Sequence, residues 1–220
     1  MPYRKIPLVK QNIYHICTKS IAGYIIFNSD KEYVRMLSTL SYYQYEEIDC
    51  RFSHFLLSEE RSKKSLTSIQ PAKKTIKIIA YCLMPTHIHL ILEQLIDQGI
   101  SRYMNLVLKS YSKYFNAKHK RKGPLWEGRF KSILIKSDEQ LLHLTRYIHL
   151  NPVSAALVNL PQDWKFSSYG EYINLVKENT KICAFNDYLE ISTMQYEKFV
   201  KDQIGYQREL QQIKHLALEG

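Results

Sequence analysis

Tyr81-Cys82-Leu83-Met84-Pro85-Thr86-His87-Ile88-His89-Leu90-Ile91-Leu92 is the stretch on which the reading of this chain turns. Successive side chains of a strand point to opposite faces, so His87 and His89 share one face while Ile88 and Leu90 share the other. Pro85 cannot donate to a sheet ladder and marks a turn, which makes the stretch the second half of a hairpin that opens with Thr75-Ile76-Lys77-Ile78-Ile79-Ala80. Two imidazoles held by one rigid strand form a two-toothed ligand for a divalent cation. Alone, such a pair is more often two exposed strand histidines. The elements around it carry the rest.

Upstream, Asn12 to Lys19 alternates Ile13, His15 and Cys17 against Tyr14 and Ile16 and reads as a first strand. Ser29 or Asp30 then caps a helix reaching about Tyr45, with Tyr33, Met36, Leu37 and Leu40 on its buried stripe. Residues 50–74, which include Arg61-Ser62-Lys63-Lys64-Ser65, are polar, basic and poorly periodic and read as a surface loop or insertion. Downstream, Met104, Val107, Leu108, Tyr111 and Phe115 have the helical period over Ile100 to Lys118, and Lys118-His119-Lys120-Arg121-Lys122 forms a basic knot at its end. A strand over Phe130 to Lys136 follows, and then a helix from Glu139 to about Leu150, capped by Ser137 or Asp138 and stopped at Asn151-Pro152.

The order β-α-β-β-α-β-α predicts an α+β fold whose first six elements match the ferredoxin-like split βαβ pattern, an antiparallel sheet with helices on one face. Residues 1–160 form this domain, and 161–220 a mainly helical C-terminal extension without a catalytic motif.

Over 220 residues, 31 Lys and Arg stand against 21 Asp and Glu, and a formal charge of +10 favours a polyanionic partner, nucleic acid first. Lys109, Lys113, Lys118, Lys120, Arg121, Lys122 and Arg129 supply a basic surface, with Arg146 as a further phosphate contact. The four cysteines are scattered, which excludes a zinc-finger spacing and a dense disulfide framework. With no signal-peptide apolar region and no 18-residue apolar run, the chain reads as cytoplasmic and without a membrane partner.

Tyr147 and Asn151 are four residues apart and share a helical face. A strand bearing His87 and His89 lacks an oxygen ligand for a hard cation and a group to activate. Asn151 offers a carbonyl oxygen, and Tyr147 a nucleophile. A phenol near pKa 10 attacks phosphodiesters poorly without help, and Mg²⁺ or Mn²⁺ would provide it. The plainer alternatives are a helix stop at Asn151-Pro152 and an interfacial tyrosine.

Three separated segments now stand in one order: Met84 to Leu92, Gly123-Pro124-Leu125-Trp126-Glu127-Gly128-Arg129-Phe130-Lys131-Ser132, and Tyr147-Ile148-His149-Leu150-Asn151-Pro152-Val153. In this the chain resembles the REP-associated tyrosine transposases, single-tyrosine HUH enzymes of the insertion-sequence-200 type. The resemblance implies His87 and His89 as the paired metal ligands, Asn151 as the third ligand and Tyr147 as the nucleophile. It also implies a DNA nickase and strand transferase that acts on single-stranded or hairpin DNA through a 5′-phosphotyrosine and a free 3′-hydroxyl. A second copy of the chain is a further candidate partner. Thr86 departs from the Asn common at its position. The alternative function is a domesticated, non-catalytic protein that grips hairpins through the basic residues.

Overall fold

Period-two alternation sets four strands in the computed structural model, which describes residues 7–46, 52–62 and 73–206. They are β1 (Ile13–Lys19), β2 (Ile76–Met84), β3 (His87–Gln94) and β4 (Lys131–Ile135). All neighbours are antiparallel, in the order β2-β3-β1-β4 expected of a ferredoxin-like sheet. Pro85 and Thr86 make the two-residue turn between β2 and β3. Register slips at Ile79, where a bulge restores one face for Ile76, Ile78, Tyr81 and Leu83 despite their mixed parity.

That face packs on α1 (Asp30–Tyr42) and α3 (Gly99–Lys118). Ile16, Ile88, Leu90 and Leu92 meet Met36, Leu40, Tyr103, Val107 and Tyr111 in one buried cluster. Glu32, in the first turn of α1, ties the two helices together. Its side chain is wholly buried, accepts from the Asn28 N–H, and lies 2.8 Å from Lys118 Nζ and 2.6 Å from His119 Nε2.

The two helices of the first six elements thus lie on one face, as expected. The other face is covered by α4 (Asp138–Ser154) together with α5 (Tyr169–Tyr172) and α6 (Thr193–Lys201). Ile79, Cys82, Met84 and Ile91 are apolar on that side too, and they pack with Ile148, Val153, Tyr169, Tyr172 and Tyr196. The extension is stitched to the sheet rather than appended. Leu83 N–H donates to the Phe166 carbonyl, and the buried His149 ring bridges Ser168 Oγ at 2.8 Å and the Tyr196 hydroxyl at 2.7 Å.

Two corrections concern local structure. Residues 52–62 of the expected loop are α2 (Phe52–Ser62), whose Phe52, Phe55 and Leu56 recur at helical spacing and join the α1 and α3 cluster. The rest of that basic stretch, 63–72, and the preceding 47–51, lie outside the described residues. α4 runs through Pro152 instead of stopping there. Proline gives the Ile148 carbonyl no N–H, and the Asn151 side chain answers by donating Nδ2 to the carbonyls of Tyr147 (2.9 Å) and Ile148 (3.5 Å).

Candidate active site

Cross-strand register gathers the site on the face beneath α4. His87 lies opposite Lys19, His89 opposite Cys17, and Cys17 opposite Lys131 across β4. Directly paired residues of an antiparallel sheet share a face, so Lys19, Lys131, His15 and Cys17 share the face of the two histidines, on the β1 and β4 side of them. α4 lays Tyr147 over them. Its ring centroid is 6.0 Å from that of His89 and 6.5 Å from that of His15, edge-on to both. The structure thus brings His87, His89 and Tyr147 together within one chain, with Asn151 one helical turn beyond Tyr147.

Each histidine has one ring nitrogen engaged. His87 Nδ1 is 3.1 Å from Thr86 Oγ1, and His89 Nδ1 is 3.0 Å from Nε2 of His15. The ring centroids of His87 and His89 are 5.0 Å apart. Burial, with Lys19 adding its charge, draws His87 down to about 4, and burial together with His87, His15 and Lys19 draws His89 down to about 3, so both rings are neutral at physiological pH. Burial raises the Tyr147 phenol above its ordinary value and Cys17 adds to this, while the Asn151 side chain works against it. A group held as a phenol needs activation before it attacks.

Most of the residues expected to bind DNA lie on or just beyond α3, across the sheet from α4. Lys109 and Arg129 line a groove of about 840 Å³ between α3 and the Pro124–Phe130 segment, with Trp126 and Phe130 in its wall. Lys113, Lys120 and Lys122 are exposed. Lys118 is paired with Glu32, and Arg121 folds back on Asn116 and on the carbonyls of Gly123 and Pro124. Arg146 stacks at 4.1 Å over Phe199 of the C-terminal region and meets His143, turned away from Tyr147. β1 ends, β3 and β4 begin, and α3 terminates at one end of the sheet, so the basic turn after α3 and the histidine pair lie at the same end of the molecule.

Sequence reasoning passed over His15, Lys19 and Lys131. All three are placed by register between segments more than sixty residues apart, and period-two parity on β1 was the one available signal.

Residues 51–151 match the family model described as Transposase IS200 like. That span holds both histidines, Tyr147 and Asn151. Over that span, a little under half of its length, the chain is similar to the IS200-like transposases. A protein of Haemophilus influenzae bearing the name putative REP-associated tyrosine transposase is 27% identical over 103 residues, covering 41% of this chain and 57% of that relative, a little over half its length. A solved structure of a REP-associated tyrosine transposase bound to a REP hairpin aligns at 19% identity with a TM-score of 0.47, over 79% of this chain and 86% of that one. No helix among the described residues is long and apolar enough to cross a membrane.

Proposed function

We propose that the chain is a metal-dependent endonuclease and strand transferase acting on single-stranded or hairpin DNA, with Tyr147 as its nucleophile. The observation that carries this is the meeting of a phenol with two histidines whose Nδ1 atoms are both occupied, so that Nε2 is the ring nitrogen left to each. Asn151 fits the same reading, because Nδ2 is spent on helix carbonyls and Oδ1 remains as its coordinating atom.

Among the described residues no three His, Cys, Asp or Glu side chains converge as a metal site, so a divalent cation here rests on the two imidazoles and the amide. That donor set suits Mn²⁺ at least as well as Mg²⁺. When bound, the cation supplies Lewis-acid polarisation of the phosphate and offsets charge in the transition state. The chain's own residues do the rest. Tyr147 would give up its phenolic proton and present its oxygen to phosphorus; the new O–P bond forms as the P–O3′ bond breaks, and the departing 3′-oxygen takes up one proton, so that a 5′-phosphotyrosine and a 3′-hydroxyl remain with no net change in protons. Reversal by a second 3′-hydroxyl rejoins strands without ATP. Lys19 and Lys131, exposed on the two strands to one side of the pair and in no ion pair among the described residues, offer cations to the phosphates beside the cut. The basic turn beyond α3 extends that track around the end of the sheet.

The test is labelled hairpin DNA incubated with the protein and Mn²⁺, followed by denaturing electrophoresis. A covalent adduct is expected from the native chain. Tyr147→Phe, which removes only the hydroxyl, should bind the hairpin as before and give neither adduct nor nick. Cleavage by that variant would remove Tyr147 from its role, and hairpin binding by the native chain without any adduct would leave a DNA-binding protein in place of an enzyme.

A further inference from the structure

His15 belongs to no motif of the chain, yet it is buried under Tyr147 with Nε2 3.0 Å from Nδ1 of His89, and the two rings stack with centroids 5.2 Å apart at an interplanar angle of 17°. A hydrogen bond between two imidazoles needs one N–H and one lone pair, and only two arrangements are available. If His15 donates, the His89 proton sits on Nε2 and that nitrogen has no lone pair for a cation. If His15 accepts, His89 is protonated on Nδ1 and Nε2 is bare.

We infer that His15 is a positioning residue, which accepts the Nδ1–H of His89 and thereby sets the tautomer and ring orientation that leave His89 Nε2 as a ligand. This rests on the metal reading proposed above. Metal-bound histidines are commonly held in this manner by a partner on the second nitrogen, and losing that partner typically costs 10- to 100-fold in metal affinity. A carboxylate or a main-chain carbonyl is the usual acceptor. Here β1 supplies an imidazole, which then carries its own proton on Nδ1. Thr86 does the corresponding work for His87 from the hairpin turn, with Oγ1 3.1 Å from Nδ1. The two ligands are thus secured from two different elements, one by a residue 74 positions away in sequence and one by its immediate neighbour. His15 also has no room to be a ligand itself, since its Nε2 is already spent on His89.

The experiment reads the tautomer directly, without DNA and without activity. Nitrogen-15 imidazole spectra of the metal-free native chain should show His89 protonated on Nδ1. His15→Phe keeps the ring and removes the acceptor, so His89 should move toward the Nε2-protonated form. Mn²⁺ titration followed by electron paramagnetic resonance should then give an affinity 10- to 100-fold weaker. His15→Gln, whose side-chain oxygen can reach the same N–H, should recover most of both, which separates positioning from simple loss of packing. An unchanged tautomer and unchanged Mn²⁺ affinity in His15→Phe would overturn the inference, as would a native His89 protonated on Nε2. Failure of the native chain to bind Mn²⁺ would sink the metal reading itself, while the spectra would still decide what His15 does to His89.

Discussion

A lysine placed by strand register is a sharper test of DNA engagement than one read from a charge run. Lys19→Ala and Lys131→Ala should each weaken hairpin binding for all sequences alike, lower the log-log salt slope by about one for each phosphate no longer neutralised, and slow nicking further. Binding measured across a salt series checks this, and an unchanged slope in both variants would remove them from the phosphate track. Lys118→Ala should move the slope less, since that ammonium already faces Glu32. The contrast shows what the sequence discloses at this scale. The shared faces of His87 with His89 and of Tyr147 with Asn151 were legible because each pair lies within one element, where spacing fixes the face. His15 was not, since its partner lies on a strand whose register only the folded sheet defines.

Among the elements, Glu32 joins the N-terminal turn of α1 to the end of α3. Burial alone would raise its pKa, yet hydrogen bonds from Lys118, the Asn28 N–H and His119 hold it below the usual carboxylate range. Glu32→Gln keeps the shape and removes the charge, and should cost roughly 2–3 kcal/mol, in the range of hydrogen bonds to ionised groups. Urea unfolding of the two forms measures it. The strands, α1, α3 and the start of α4 were all legible from periodicity and caps, with Ser137 Oγ accepting from the Gln140 N–H as the cap pattern implies. α2 was obscured because its polar and charged residues dilute the Phe52, Phe55 and Leu56 stripe. Pro152 misled for another reason, namely that an amide one residue earlier compensates the carbonyl it orphans.

For the whole molecule, His149 joins the sheet-covering helices to the C-terminal segment and, by burial, is held down to about 3. Its folded pKa lies below the ordinary value near 6.5, so between those limits the unfolded chain binds a proton that the native chain does not. The stability it contributes is complete above about 6.5 and falls with acid, by up to about 1.4 kcal/mol per pH unit. The native chain should therefore lose more of its urea midpoint between pH 7 and pH 5 than His149→Gln does, and parallel losses would place its acid sensitivity elsewhere. The seam His149 closes was the least legible part of the fold, because the apolar second face of the sheet announces a cover without saying which segment supplies it. One arrangement on that face bears on genetics as well as chemistry. Tyr147 stands over His89 of its own polypeptide, so on the proposed reading each molecule would carry a complete site. Mixing Tyr147→Phe protein with His89→Ala protein should give no complementation, and adduct yield should rise in simple proportion to protein concentration. Restored cleavage in the mixture would mean that copies exchange their halves of the machinery.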